Sequence, residues 1–303
     1  MTLLSQKILE NFQIRKSKKQ KLAFINLMQK YLPALQLQKG GFPKCRNLIL
    51  GDVANAKVIL TAHYDTCSRL PFPNFITPKK PLYTILYNFL VIIPLFCAVF
   101  FLNTLLNTFS DYLWLNYFLS VGVYFAFLVL LIAGPANKNT ANDNTSGVIT
   151  LCELIDTLTE EERKKVAFVF FDHEETGLLG SSYFKKKYKA IIEDKLLINF
   201  DCVSDGDYFL LSTSEPAKDK YESQILGSFQ SNKAKTVMFE NSRQIYYPSD
   251  HAIFPVSLAV AALKYTPVIG YYMDKIHTNK DTAFDETNIT FLCNCIHSLV
   301  QKL

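Results

Sequence analysis

Five places in this chain carry side chains that bind divalent metals or move protons, at ends of short apolar segments or helices. His63-Tyr64-Asp65 follows Val58-Ile59-Leu60, Glu174-Glu175 closely follows Val166–Phe171, and Asp201 follows Leu196–Phe200. Asn142-Asp143-Asn144 precedes a helical stretch, and His277-Thr278-Asn279-Lys280-Asp281 lies near the C-terminus. The chain has only 5 histidines, so finding His63 and His277 in such places carries weight. Imidazole with carboxylate suits zinc or a similar borderline divalent ion. A further carboxylate beside the ions suits general acid–base work. Each motif alone has a plainer reading. His63-x-Asp65 could be a satisfied loop pair, Asp143 a helix cap, and Glu174-Glu175 a solvated pair. Five such positions in one ordered series point instead to a single metal site.

The site requires elements that bring these positions together. Lys57–Ala62, Lys165–Phe171, Leu196–Phe200 and Tyr208–Ser212 read as strands, with Asn47–Gly51 as another. Leu3–Leu32 reads as mostly helical, as do Ser146–Leu158, Leu178–Lys189 and the amphipathic Asn288–Leu303. Strands alternating with helices predict an α/β fold: a mixed, largely parallel sheet covered by helices on both faces. In such sheets ligands collect beyond the carboxyl ends of strands, where His63, Glu174-Glu175 and Asp201 lie.

Composition narrows the class. A hydrophobic fraction of 49% with 19% charged residues excludes a disordered chain. The 32 basic against 27 acidic side chains give +5, too mild to call for nucleic acid, and no such partner is expected. Seven cysteines, an odd number without a CxxC pair, suit a reducing compartment better than a disulfide framework. The N-terminus, with Lys7, Glu10 and the basic Arg15–Lys21, has no apolar core and is not expected to be a signal peptide.

Between Pro81 and Gly134 there is no Lys, Arg or Glu, and Asp111 is the only acid. Two apolar runs, Thr84–Leu106 and Tyr112–Ala133, flank a polar tip at Asn107–Asp111. Each would make a helix of roughly 33 Å, enough to cross a bilayer. A buried helical hairpin in a soluble core is the alternative, and two adjacent uncharged runs of this length disfavour it. Residues 81–134 are therefore expected to be a transmembrane hairpin contacting lipid, inserted into a discontinuous domain of residues 1–80 and 135–303. Arg69, Lys79, Lys80 and Lys138 flank the runs while the tip carries no cation. By the positive-inside rule the chain is expected in the cell membrane with two spans, the tip outside and the larger domain in the cytoplasm.

The motifs resemble a family. His63-Tyr64-Asp65, Ala141–Gly147 (ANDNTSG), Phe171–Ser181 (FDHEETGLLGS), Asn199-Phe200-Asp201, Ser249-Asp250-His251 and His277-Thr278 are similar to those of co-catalytic zinc aminopeptidases of the aminopeptidase Y and bacterial leucyl aminopeptidase type. The resemblance covers about residues 15–80 and 135–303; the apolar hairpin lies outside it. It implies a zinc-exopeptidase-like fold and two divalent ions, zinc first. His63 and Asp201 would bind one ion, Glu175 and His277 the other, and Asp143 would bridge them. Glu174 would be the general base acting on a metal-bridged water, and Asp65 would orient His63. Tyr246 and Ser249 match positions that support the tetrahedral intermediate, with Tyr247 next door a competing choice. Asp250 and His251 would be structural or lie behind the ligands. The implied activity is removal of N-terminal residues from peptides; the oligomeric state is left open.

Two departures leave alternatives. Asp172-His173 occupies positions where small or apolar residues are expected, and His173 is expected to face solvent. Glutaminyl cyclases, one-zinc acyltransferases, share a similar Phe-Phe-Asp-x-Glu-Glu stretch, but here Ile276 precedes His277 where a cyclase would present Trp. A catalytically inactive receptor or scaffold is the third reading, disfavoured by the intact ligand set and Glu174. Cys67 and Cys202 lie within two residues of site carboxylates, but no separate His/Asn set supports a catalytic thiol.

Overall fold

The computed structural model describes all residues from Met1 to Leu303. Two helices open the chain, α1 (Leu3–Asn11) and α2 (Lys18–Tyr31), followed by strands β1 (Gln36–Gly40), β2 (Cys45–Leu50) and β3 (Val58–His63). Helices α3 (Pro81–Phe109) and α4 (Leu113–Ala133) come next, then α5 (Gly147–Thr157), α6 (Glu160–Lys164), β4 (Val166–Phe171) and α7 (Leu179–Ile192). The chain continues with β5 (Leu196–Phe200), β6 (Tyr208–Thr213), α8 (Glu215–Leu226), β7 (Thr236–Asn241), β8 (Ser257–Thr266), β9 (Gly270–Tyr272) and α9 (Glu286–Lys302).

One sheet runs β1-β2-β4-β3-β5-β8-β6-β7, with β9 added on β8. Its centre, β4-β3-β5-β8, is parallel, while β1, β2 and β6 pair antiparallel at the flanks. This is the expected mixed sheet. Strands β3, β4 and β5 are buried along their whole length, which suits their predominantly apolar sequences. Alternation sorts their side chains by face. Val58, Leu60, Phe168, Phe170, Ile198 and Phe200 pack with α1, α2, α5 and α9. Ile59, Val169, Phe171 and Leu197 turn the other way, against Phe184 of α7 and Phe254.

The stretch expected to be mostly helical, Leu3–Leu32, forms two helices. Ser17 opens α2 with a capping box to Gln20, and Arg15 in the break is fully buried. Its guanidinium donates to the Tyr64 carbonyl (2.5 Å) and Thr145 Oγ1 (3.1 Å), so the break feeds a cation under the exit of β3. Burial lowers its pKa to about 10, against the pull of Asp65 and Asp143.

The hairpin α3–α4 projects from this domain. Most of its apolar side chains are exposed, so it is not a core element, and both helices are long and apolar enough to cross a membrane. Asn116 Nδ2 donates to Asn107 Oδ1 (2.8 Å) and to the Ser110 carbonyl (3.0 Å), closing the tip. At the base, Ser68 Oγ and Lys16 Nζ donate to the Ile132 carbonyl (2.7 and 2.5 Å), and Tyr87 OH to the Pro73 carbonyl (3.0 Å).

Candidate metal centre

His63 is the last residue of β3 and pairs with Phe171, the last of β4, so the two strands deliver their following residues to one place. The Asp65 carboxylate joins them. Its Oδ1 accepts from the Glu174 N–H (3.0 Å) and its Oδ2 from the Glu175 N–H (3.3 Å). Asp65 holds His63 through its backbone instead: His63 Nδ1 is 3.1 Å from the Asp65 carbonyl and 3.7 Å from the carboxylate. Burial opposes the Asp65 charge, yet His63, Lys21 and the Glu174 N–H keep its pKa down at about 2.

Asp143 sits in the turn before α5. Its Oδ1 is 3.4 Å from His63 Nε2, and its Oδ2 is 3.2 Å from His277 Nε2. Asp201, just after β5, brings Oδ1 to 3.4 Å from His63 Nε2, and Glu175 brings Oε2 to 3.4 Å from His277 Nε2. All five expected ligands therefore meet, with Asp143 between the two imidazoles. Glu174 lines the same cleft and makes no side-chain hydrogen bond. Burial first, then Glu175, Asp250 and Asp201, push its pKa well above the usual carboxylate range, against His63. Burial and Asp143 do the same to Glu175. Burial would lower the His63 pKa, but Glu174, Asp143 and Asp201 raise it well above the ordinary value.

The donor set fits divalent cations. Five carboxylates, from Asp65, Asp143, Glu174, Glu175 and Asp201, converge on two imidazoles, and the buried Glu175 Oε1 has no hydrogen-bond partner. Buried anions in such excess require cations or protons. The cleft, about 290 Å³, adds an apolar wall from Ile76, Leu178, Ala252, Met273 and Ile276.

The structure departs from the expected roles of two residues. Tyr246 is 46% exposed and outside the cleft; Tyr247 is buried, lines it, and donates to the Asp201 carbonyl (2.9 Å). Ser249 lines the cleft but donates to Asp201 Oδ2 (2.6 Å) while accepting from Asn199 Nδ2 (2.8 Å). Its hydroxyl hydrogen is therefore engaged by the Asp201 carboxylate. His173 lies outside the cleft, part-exposed, with Nδ1 3.0 Å from Thr176 Oγ1. Asp250 and His251 are fully buried.

Sequence reasoning missed Asp281. It is 1% exposed, and its carboxylate accepts the N–H groups of Asn142 (2.9 Å) and Asp143 (3.0 Å). The available signal was its position, four residues after His277 in the same polar loop. Gly147, in the ANDNTSG motif, has a steric reason: a Cβ there would lie 2.4 Å from the Phe200 carbonyl oxygen.

The profile of peptidase family M28 matches residues 120–296, more than half of the chain. The chain belongs to peptidase family M28. The matched segment holds Asp143, Glu174, Glu175, Asp201 and His277, while His63 and Asp65 join them through the sheet. The M28 chain is 32% identical over 120 residues to a probable leucine aminopeptidase 2 of Aspergillus oryzae. That stretch is 39% of this chain and 22% of the relative, so the chain spans about a fifth of the relative's length. Solved structures share the fold. The Legionella pneumophila LapA aminopeptidase matches with TM-score 0.56 at 13% identity, over 99% of this chain and 68% of that one. A glutaminyl cyclase of Porphyromonas gingivalis gives 0.61 at 16%, over 99% and 96%. A Zn-dependent exopeptidase of Parabacteroides distasonis gives 0.57 at 13%, over 98% and 94%.

Proposed function

We propose that this M28 chain is a membrane-anchored metallo-aminopeptidase that removes N-terminal residues from peptides with two divalent ions, zinc being the best match to imidazole and carboxylate donors. One observation carries the reading: the two oxygens of Asp143 face two different imidazoles, each of which also meets a second carboxylate. His63 and Asp201 would hold one ion, Glu175 and His277 the other, and Asp143 both. When bound, such ions lower the pKa of a water and polarise a carbonyl. Glu174 takes the proton of the attacking water on its carboxylate and returns it to the leaving amine. Its unengaged side chain leaves both oxygens free for that exchange, while Asp65 fixes its backbone. Ser249 and Tyr247 hold Asp201 in place, and the apolar wall takes the substrate side chain.

The anchoring reading rests on the hairpin. Its helices expose apolar side chains that water disfavours, among them Leu82, Leu90, Phe100, Trp114, Phe118 and Ile132. The cations Arg69, Lys79, Lys80 and Lys138, with Lys16 at the end of α4, support a cytoplasmic catalytic domain and an outward tip.

The test uses the full chain purified in detergent. Two zinc ions per chain by mass spectrometry, with hydrolysis of amino-acid anilides but not of N-acetylated controls, is the expected result. One ion with cyclisation of N-terminal glutamine, or equal turnover of blocked substrates, would overturn the aminopeptidase reading. Release of the chain from membranes by alkaline carbonate would overturn the anchoring.

A further inference from the structure

Cys67 lies four residues past His63, and its thiol belongs to the second half of the site. Ligand atoms of Cys67, Asp143, Glu175 and His277 all lie within 4.8 Å of one another. Cys67 is 2% exposed, and its place is rigid. Its carbonyl accepts the Asn137 N–H (3.1 Å), Ser68 pairs with Ala136, and Thr66 Oγ1 accepts the Arg15 N–H (3.0 Å). The Glu175 side chain in this cluster is 9% exposed, with Oε1 unpartnered.

We propose that Cys67 is a thiolate ligand of the ion held by Glu175, His277 and Asp143, completing a four-donor set there. The inference rests on the two-ion reading above. On coordination the thiol proton leaves to solvent and the sulfur lone pair enters the metal–sulfur bond, with no change of oxidation state. Two consequences follow from the donor types. A soft sulfur favours Zn²⁺, Co²⁺ or Cd²⁺ over Mn²⁺ and Mg²⁺ at this position. Four protein donors make a closed set, whereas the His63, Asp201 and Asp143 set has three and stays open, the usual difference between retained and reactive zinc. The two ions are thus unequal: one tightly held, one exchangeable.

Cys202 is the natural control. It clusters with Asp143 and Asp201 but no imidazole, and its S–H donates to Asp201 Oδ1 (3.2 Å). The competing account of Cys67 is a buried thiol that only packs beside Asn137, whose N–H donates to the Cys67 carbonyl.

The experiment is Co²⁺ titration of the metal-free full chain in detergent, followed by absorption. Wild type and Cys202→Ser are expected to show a thiolate-to-cobalt charge-transfer band in the near ultraviolet; Cys67→Ser is expected to lose it. The cobalt that carries the band should resist a chelator longest, and Cys67→Ser should release it at least about tenfold more readily. Should Cys67→Ser not fold, iodoacetamide mapping of wild type decides: cobalt should protect Cys67 from alkylation under partial unfolding, and equal labelling with and without cobalt would overturn the proposal. Two bound cobalt ions without the band, or a band that survives Cys67→Ser, would overturn it while leaving the metallopeptidase reading intact. A chain that binds no cobalt would overturn both.

Discussion

Asp281 tests whether the proposed bridging position of Asp143 is built by the fold. Its two carboxylate oxygens accept two buried backbone N–H groups, of Asn142 and Asp143 itself. Asp281→Ala leaves both donors unpaired, at about 1–3 kcal/mol each, so the gross loss is about 2–6 kcal/mol. Part of that is offset, because burial and then Asp143 push the Asp281 pKa up to about 7, and the substitution removes a charge held at a cost. Asp281→Asn keeps one acceptor oxygen and should be milder, by about one such bond. The functional effect is sharper than the stability effect. Asp143 faces both His63 and His277, so a shifted turn should weaken both ions together, by about 10–100-fold as for other residues that orient ligands. Thermal unfolding in detergent, with and without zinc, reads the first quantity; chelator competition with two-site analysis reads the second. If Asp281→Ala lowers Tm but leaves both affinities at wild-type values, Asp281 only stabilises the loop. If one ion alone weakens, Asp143 is not shared.

Glu174→Gln should retain both ions and lower kcat by about 10²–10⁴, whereas Glu175→Gln should chiefly lose metal; the reverse pattern would exchange their roles. Tyr247→Phe, which deletes the bond to the Asp201 carbonyl, should lower kcat/KM, and the exposed Tyr246→Phe should leave it near wild type. His251 is buried beside Tyr247, and burial lowers its pKa to about 4. Between about pH 6.5 and 4 the unfolded chain binds a proton the native one refuses, so stability falls with falling pH by up to about 1.4 kcal/mol per unit. His251→Phe should flatten that part of the stability–pH curve, and a curve parallel to wild type would refute the assignment.

Much of the site was legible because metal chemistry restricts side-chain types and parallel strands restrict their location. His63, Asp143, the Glu174-Glu175 pair, Asp201 and His277 could be read as candidates from residue type at element ends, while the choice of Glu175 over Glu174 as a ligand came from the family resemblance. The central strands were legible from predominantly apolar runs, but β1 with Gln36, Gln38 and Lys39 carries no such pattern, because an edge strand is half solvated. The division of labour around the ligands was not legible. Whether Ser249 donates to a ligand or to substrate depends on where Asp201 Oδ2 lies, a contact across 48 residues. Tyr246 and Tyr247 differ in sequence by nothing that decides burial; Tyr246 turns outward where its N–H bonds to the Pro78 carbonyl (3.0 Å). The break between α1 and α2 was not legible either, since the Arg15 acceptors at Tyr64 and Thr145 lie 49 and 130 residues away.

The hairpin is more closely joined to the site than two chain tethers would require. Its leading flank pairs with the very loop that carries His277. The Leu70 N–H donates to the His277 carbonyl (2.8 Å), the Asn74 N–H to the Ile276 carbonyl (3.1 Å), and Ile76 exchanges bonds with Met273. Asn74 and Ile76 then line the cleft beside Met273 and Ile276. The trailing flank does the same from the other side: Asn137 Nδ2 donates to the Thr278 carbonyl (2.8 Å), and Ser68 pairs with Ala136. The leading flank of the hairpin is therefore part of the pocket wall, and the trailing flank braces the loop that carries His277. Helix α3 is tied to this flank at Thr77, whose N–H and hydroxyl bond Thr84 Oγ1 (2.8 Å each), and at Pro73, whose carbonyl accepts from Tyr87 OH. Those bonds join the base of the hairpin to the Asn74–Ile76 wall of the cleft, whatever its helices cross.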